Sequence, residues 1–187
     1  MRGRPAADDR LDDRPGPSAR RRGRAKKGGA EAQALGRSRG GFSTKVIAVA
    51  CDEDGVVALD VAEGQRNDAP LAKGVLIEAH DAVGEVAEVL GDKGFDSDAV
   101  RDVVLDDLDA LPVIPNRRCR KEPWPWDDEM REIYKQRNRV ERAFAKAKQF
   151  RRFATRYEKL KDVYLGVARL VFGFIHVRKL AQSVNRP

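Results

Sequence analysis

Residues 127–149 carry a pattern of hydrophobic and polar positions that predicts a helix with three distinct faces. Successive residues of a helix are turned by about 100° around its axis, so positions three and four apart share a face. One face is an apolar stripe that predicts burial, formed by Ile133, Val140, Phe144 and Ala147. The opposite face is basic, with Arg131, Lys135, Arg139, Arg142 and Lys146. The third face spans an arc of about 60° and holds Tyr134, Arg137, Glu141 and Lys148.

The rest of the chain alternates between short strands and helices, which predicts an α/β fold. Residues 44–50 and 56–61 predict a β-hairpin, and we interpret Asp52, Glu53 and Asp54 between them as turn formers. Four further elements are predicted: a helix at 69–79, a strand at 86–90, a helix at 97–108 and an edge strand at 112–115.

A second long helix is predicted in the C-terminal part of the chain, because Thr155 and Glu158 have the spacing of a capping box at its start. Its apolar positions recur with helical period and predict a broad buried stripe. The positions in that stripe are Leu160, Val163, Val167, Leu170, Val171, Phe174 and Ile175.

Length and composition limit the classes of protein to which the chain could belong. The 187 residues suit one domain of ordinary size, and 36% of them are charged. No apolar run approaches the roughly 20 residues of a membrane span, and the first 30 residues are polar and arginine-rich, unlike a signal peptide. We therefore expect a cytoplasmic protein. Two cysteines without metal-ligand spacing and two histidines make a zinc site improbable.

Charge is divided unevenly along the chain, whose net charge is +7. Residues 1–35 are rich in Arg, Gly, Ala and Pro and predict a disordered segment. Residues 44–115 carry 17 acidic and 5 basic side chains, whereas residues 116–161 carry 16 basic and 7 acidic ones. Such blocks are often only solvated charge, but an acidic cluster beside a basic tract also suits chemistry on a polyanion.

Asp92 is the acidic residue whose position in the sequence most favours a role in a functional site. It follows the strand predicted at 86–90, and Gly91 and Gly94 on either side allow a tight turn. Taken alone, an aspartate in that position is more often a turn former. Three other aspartates, Asp68, Asp96 and Asp98, stand at predicted helix starts, where capping of free N–H groups is the favoured interpretation.

The spacing of the third helical face resembles a known signature. Tyr134, two residues, Arg137, three residues, Glu141, six residues and Lys148 resemble the Y-R-E-K signature of DDE transposases encoded by bacterial insertion sequences. The strings GRSRGGFSTK, GQRNDAP, GDKGFDSD and KQFRRFATRYEKL are similar to blocks of the insertion-sequence-four and insertion-sequence-five group and stand in that group's order. On periodicity alone, Arg137 and Glu141 would be an ordinary ion pair four residues apart.

The resemblance implies an incomplete ribonuclease-H-like fold, a mixed sheet flanked by helices with two long C-terminal helices. It implies a catalytic domain at 36–182, with 183–187 as a tail. It further implies Asp92 and Glu141 as ligands of Mg²⁺ or Mn²⁺ in two-metal phosphodiester chemistry, with Lys148 as a third catalytic residue on a phosphate. DNA is the implied partner, together with a homo-oligomer or a mixed oligomer with intact transposase. The implied DNA contacts are Tyr134, Arg137, Lys148, Arg151 and Arg152, to which the basic loop adds Trp124 and Trp126 as stacking residues or as loop anchors.

One expected residue does not match the family pattern. The family's first catalytic aspartate lies on a strand about 24 residues before the GRSRGG block, which reaches Asp12, outside any predicted strand. Codons permitted for residues 10–22 can encode the family's peptides in a shifted frame. We therefore expect residues 1–25 to be a frameshifted reading and the chain to be a truncated transposase with impaired catalysis. Two alternatives remain open: a non-enzymatic basic nucleic-acid-binding module, and a protein-binding fragment that regulates an intact transposase.

Overall fold

The computed structural model of the chain describes residues 4–10, 31–38, 41–51 and 55–184, and these form a mixed α/β structure. The strands are β1 (Arg4–Arg10), β2 (Gly36–Ser38), β3 (Gly41–Ala50), β4 (Val56–Glu63), β5 (Glu88–Leu90) and β6 (Leu111–Val113). The α-helices are α1 (Ala69–Val83), α2 (Asp98–Asp102), α3 (Asp128–Tyr134), α4 (Asn138–Ala147), α5 (Arg151–Ala154) and α6 (Lys161–Val184). No helix of the described residues is long and apolar enough to cross a membrane.

The strand β3 organises the sheet. It pairs antiparallel with β4, as the predicted hairpin requires, and on its other side it pairs antiparallel with β1. The short strands β5 and β6 pair in parallel, and β1 lies close to β5. The strand β1 thus stands between the hairpin and the strand that leads into Asp92.

Residues of β3 face two hydrophobic cores because successive side chains of a strand point to opposite faces of the sheet. Ile47 and Val49 pack with apolar residues of α1 and α2. Val46 and Ala48 pack with α4 and α6, including Phe144. Burial on both faces explains why the middle of β3 is a continuous apolar run rather than an alternating one.

The predicted helix at 127–149 is interrupted. A 3-10 turn at Lys135–Arg137 separates α3 from α4, so α6 is the single long helix of this C-terminal region. The apolar stripe is confirmed in α4, where Val140, Phe144 and Ala147 are buried, while Ile133 in α3 is half-buried.

The predicted capping box is wrong. Thr155 lies immediately after α5, and Glu158 is buried and pairs with Arg152. Arg156 is buried beside them and donates to the carbonyl of Ala34 at 2.9 Å. The polar residues between α5 and α6 therefore tie the helices to the start of the sheet instead of starting α6.

The buried stripe predicted for α6 is wrong in about half of its positions. Val171 and Ile175 are buried as predicted, together with Tyr164, Ala168 and Phe172. Leu160, Val163, Leu170 and Phe174 are exposed. Fewer apolar residues of α6 are buried than its composition suggests, because neighbouring elements cover only one narrow side of the helix.

Three sequence predictions concern the N-terminal part of the chain. The structure has a strand at Arg4–Arg10 and a 3-10 turn at Glu31–Gln33, both within the segment predicted to be disordered. Asp12 lies outside the described residues, and so do Asp52, Glu53 and Asp54. The predictions for these four residues remain predictions.

Candidate active site

Asp92 stands where β5 ends and the chain turns into a 3-10 helix at Lys93–Phe95. Its side chain is half-buried, and Oδ1 accepts a hydrogen bond of 2.6 Å from the backbone N–H of Gly94. The parallel pairing of β5 with β6 holds the strand behind it, with Leu90 opposite Val113. Asp92 is therefore a carboxylate fixed on a rigid strand end, as its flanking glycines predict.

Asp68 lies beside Asp92 and does not act as the predicted cap. It precedes α1, but its side chain makes no capping hydrogen bond. Its Oδ1 instead forms an ion pair with the Nζ of Lys45, a β3 residue whose side chain is 3% exposed. Lys45 also donates to the backbone carbonyl of Arg66. A buried ammonium group thus holds Asp68, because a charge inside the protein requires a partner.

The carboxylates of Asp68 and Asp92 converge at Gly94. A Cβ atom on Gly94 would lie 2.7 Å from Oδ1 of Asp92 and 2.8 Å from Oδ2 of Asp68. Both distances are too short for a carbon atom, so only glycine fits without displacing these side chains. Asp68 and Asp92, which belong to the separate strings GQRNDAP and GDKGFDSD, therefore both lie beside the loop at residues 92–94.

Glu141 and Arg137 form an ion pair that spans the junction between the 3-10 turn and α4. The side chain of Glu141 is 52% exposed, and that of Arg137 is 28% exposed. The guanidinium of Arg137 also lies 5.7 Å from the ring centroid of Tyr134. Three of the four residues predicted for the third helical face are therefore in contact, even though the helix is interrupted between them.

The pKa of Tyr134 responds to the charges of both Glu141 and Asp92. Burial raises the pKa of the Tyr134 hydroxyl, Arg137 opposes this rise, and the negative charges of Asp92 and Glu141 add to it. Asp92 and Glu141 therefore both act electrostatically on one hydroxyl, that of Tyr134.

Lys148 and two arginines continue the basic surface after Glu141. Lys148 is exposed at the C-terminal end of α4, and Arg151 is exposed at the start of α5. Arg152 is also exposed, but its guanidinium is paired with Glu158. All three predicted DNA contacts are therefore exposed to solvent, and the guanidinium of Arg152 is in addition paired with Glu158.

The basic loop after β6 holds the loop that begins with Asp92. Asp96, whose side chain is 1% exposed, accepts hydrogen bonds of 3.0 Å from both Arg101 and Arg120. Arg117 donates its backbone N–H to Asp96 at 2.6 Å and its side chain to the carbonyl of Lys93 at 2.7 Å. The predicted capping role of Asp96 is therefore wrong, because this carboxylate binds two guanidinium groups.

The two tryptophans of this loop have partners within the protein. Trp124 lies over the guanidinium of Arg101, at 5.1 Å from the ring centroid, and its backbone is hydrogen-bonded to the side chain of Asn116. Trp126 packs edge-on against Tyr134, with ring centroids 5.5 Å apart. Both residues are half-buried, which favours the anchoring interpretation for the contacts seen here.

Sequence reasoning missed two features of this region. Lys45 and Asp68 pair across the strings GRSRGGFSTK and GQRNDAP, and the signal available was a lysine in an otherwise apolar strand. Asp8 and Asp9 lie on β1, opposite Ile47 and Val46, in a segment whose composition predicts disorder. No group of three or more residues capable of holding a metal ion occurs among the described residues.

Comparison with known proteins supports the resemblance to transposases with a DDE domain. The family model described as "Transposase DDE domain" matches residues 13–172. A putative transposase for insertion sequence element IS6501 from Brucella ovis is 29% identical over 115 residues, which cover 62% of this chain and 83% of the relative. No solved structure matches the chain. The family model covers most of the sequence, and the chain therefore belongs to the transposase DDE domain family.

Proposed function

We propose that this protein is an insertion-sequence transposase of the insertion-sequence-four and insertion-sequence-five group, with a ribonuclease-H-like catalytic domain at residues 36–182. Family membership supports transposase function and a general dependence on divalent metal. The order of strands supports the fold, because an antiparallel hairpin adjoins β1, and β1 adjoins the parallel pair of β5 and β6. These bounds leave out residues 1–35 and 183–187, although β1 at residues 4–10 pairs with β3 in the same sheet.

The observation that carries the proposal is the match of residues 13–172 to the transposase DDE domain, together with Asp92, whose carboxylate is held at a strand end by the N–H of Gly94. Carboxylate oxygens are the ligands that Mg²⁺ or Mn²⁺ prefers, and Asp92 and Glu141 are the two that this proposal assigns to the ion. Among the described residues they do not form part of a group of three or more metal-ligating side chains. When bound, the metal activates the attacking hydroxyl or water and stabilises the leaving oxygen of a phosphodiester.

The remaining residues have supporting roles in this proposal. Arg137 orients the Glu141 carboxylate through their ion pair, and Tyr134 packs against Arg137 and excludes water from one side of it. Lys148 and Arg151 bind phosphates of the DNA backbone, where a cation contributes both affinity and salt dependence. Tyr134, Trp124 and Trp126 line the surface on which the DNA lies.

Metal binding and cleavage test the site directly. Asp92→Asn and Glu141→Gln remove one charge each with little change in shape, and Asp98→Asn is the matched control at an exposed carboxylate. We expect both site variants to lose Mg²⁺ binding in calorimetry and to lose any residual metal-dependent nicking of DNA carrying the parent element's terminal inverted repeats. The control should keep both properties. If the site variants bind Mg²⁺ as the wild type does, the proposed site is wrong.

We propose further that this copy is catalytically impaired, because no aspartate matches the family's first position. Among the described residues, Asp8 and Asp9 on β1 are the acidic residues nearest in sequence to the place where the family has its first catalytic aspartate. Strand transfer should be far slower than in an intact relative. Strand transfer as fast as that of an intact relative, in the wild type or in the double variant Asp8→Ala/Asp9→Ala, would contradict the proposed impairment. Sequencing the locus tests the frameshift, since codons unable to encode the family's peptides in another frame refute it.

A second candidate function is a non-enzymatic nucleic-acid-binding module, which the Arg137–Glu141 ion pair favours as an ordinary helical contact. Such a module should bind DNA equally with and without Mg²⁺.

For the transposase and for the module alike, Lys148→Ala and Arg151→Ala should each reduce by about 1 the slope of the logarithm of DNA affinity against the logarithm of salt concentration. Arg131→Ala, on α3, should leave that slope unchanged.

A further inference from the structure

Arg117 lies in the basic loop after β6, and its side chain reaches back to the loop that begins with Asp92. Its Nε donates to the carbonyl of Lys93 at 2.7 Å, and its Nη2 donates to the carbonyl of Gly94. The two acceptors belong to consecutive residues, and a guanidinium group presents its N–H donors in a fixed planar fork. One side chain therefore holds two neighbouring peptide units of this loop.

The first of these peptide units also carries the hydrogen-bond donor to Asp92. The carbonyl of Lys93 and the N–H of Gly94 belong to the same peptide unit, and that N–H donates to Oδ1 of Asp92 at 2.6 Å. A peptide unit is planar, so a bond that fixes the direction of its C=O also fixes the direction of its N–H. A C=O that accepts from a cation polarises the unit as well, which strengthens the N–H as a donor. The orientation of the Asp92 carboxylate is thus coupled to the guanidinium of Arg117.

The contacts of Arg117 differ from those of a residue that only binds DNA phosphate. An arginine grips a phosphate with the N–H groups of its planar fork. In Arg117 two of the nitrogens of that fork, Nε and Nη2, already donate to backbone carbonyls. The side chain is nevertheless exposed, so a substitution there removes these bonds without opening the core.

The loop that contains Arg117 has an anchor that does not use the Arg117 side chain. The backbone N–H of Arg117 donates to Asp96 at 2.6 Å, and Asp96 also binds the guanidinium groups of Arg101 and Arg120. These bonds remain when the side chain of Arg117 is replaced. An effect of such a replacement on Asp92 can therefore be separated from a general loss of structure.

We propose that Arg117 is a positioning residue for Asp92, which it orients through the peptide unit that joins Lys93 to Gly94. A carboxylate group is rigid, so fixing Oδ1 of Asp92 also fixes the direction in which Oδ2 points towards an ion. The importance of Arg117 for metal binding rests on the proposed function, in which Asp92 is a metal ligand. The orientation of Asp92 by Arg117 does not depend on that function.

Nuclear magnetic resonance of the metal-free protein tests the orientation by itself. In Arg117→Met, the N–H resonance of Gly94 should move upfield and its exchange with solvent should accelerate by about 10-fold, because its bond to Asp92 weakens. Arg117→Lys should restore these properties only in part, since an ammonium group lacks the planar fork. Arg118→Met removes the same charge from the exposed neighbouring residue and is the matched control, which should match the wild type. An unchanged Gly94 resonance and exchange rate in Arg117→Met overturn the proposal.

Metal and DNA binding distinguish a positioning residue from a phosphate contact. Arg117→Met should lower Mg²⁺ affinity, measured by calorimetry without DNA, by about 10-fold to 100-fold, as happens when a group that orients a metal ligand is removed. Its metal-free DNA binding should keep the salt dependence of the wild type. A salt slope reduced by about 1, with unchanged Mg²⁺ affinity, would make Arg117 a phosphate contact and overturn the proposal. A wild type that binds no Mg²⁺ would instead overturn the proposed function, and the Gly94 resonance would still decide whether Arg117 orients Asp92.

Discussion

Asp68 and Asp92 direct carboxylate oxygens to the same point beside Gly94, within 2.8 Å and 2.7 Å of where a Cβ atom would stand. One of the two is neutralised by the buried ammonium group of Lys45, and the other accepts the N–H of Gly94. Two like charges so close together repel unless cations accompany them. Lys45 supplies one such cation, and the proposed metal site supplies the other.

Gly94→Ala should displace these carboxylates, because the added carbon atom cannot fit at either distance. We expect Mg²⁺ affinity, measured by calorimetry, to fall by about 10-fold to 100-fold, as happens when the positioning of metal ligands is disturbed. Gly74→Ala is the matched control, since a Cβ atom on Gly74 in α1 would meet nothing within 4 Å. Unchanged affinity in Gly94→Ala would show that the convergence at Gly94 has no bearing on metal binding.

The Lys45–Asp68 pair should behave as a buried ion pair in a double-mutant cycle. Its side chains are 3% and 13% exposed, so either Lys45→Met or Asp68→Leu leaves an uncompensated charge inside the protein. Each single variant should lower the free energy of unfolding by about 3–5 kcal/mol, whereas the double variant should cost less than either. Urea unfolding measures all four proteins. Single effects that simply add would mean that the two groups act independently.

Asp96→Ala should be among the most destabilising changes near the site. It removes the carboxylate that binds Arg101, whose side chain is 2% exposed, and it removes the acceptor of the Arg117 backbone N–H. We expect a loss of about 3–5 kcal/mol in the free energy of unfolding, for the same reason of an unpaired buried charge. Asp98→Ala is the control, because Asp98 also pairs with Arg120 but is exposed, and it should change stability little.

Tyr134 should make stability depend on pH in the alkaline range. Burial raises the pKa of its hydroxyl in the folded protein, with Asp92 and Glu141 adding to the rise. A raised pKa means that Tyr134 stabilises the fold fully below the ordinary tyrosine value of about 10, and that this contribution is lost as pH rises through the folded value. Between about pH 8 and pH 11, the wild type should therefore lose more stability than Tyr134→Phe, as measured by urea unfolding. Equal losses in the two proteins would show that the hydroxyl is not perturbed.

Local patterns predicted the elements whose contacts are close in the sequence. The β3–β4 hairpin follows from two apolar runs separated by a turn, and Val140, Phe144 and Ala147 are buried because helical period places them together. The strand-end position of Asp92 follows from its neighbouring glycines, and the Arg137–Glu141 contact follows from a spacing of four residues. Each of these depends on residues within one or two elements.

Patterns failed where a polar residue has a distant partner. Asp68 and Asp96 both stand where a helix cap is expected, yet Asp68 pairs with Lys45, and Asp96 pairs with Arg101 and Arg120. A charged partner from another element competes with a cap for the same carboxylate, and the partner is visible only when the chain is folded. The prediction of a buried stripe on α6 failed for a related reason. A helical repeat of apolar residues identifies one face of a helix, but it does not show which neighbouring elements cover that face.

The amino-acid sequence by itself determined the alternation of strands and helices, the apolar faces of β3 and α4, and the Tyr134, Arg137, Glu141 and Lys148 spacing by which the family resemblance is seen. These properties follow from backbone geometry over a few turns or a few strand residues. Only the tertiary structure decided that Asp68 and Asp92 converge at Gly94, that Arg117 and Arg120 hold the loop after Asp92, and that Leu170 and Val177 of α6 are exposed. The reason is that buried charges and packed faces depend on neighbours far along the chain, which only the folded arrangement brings together.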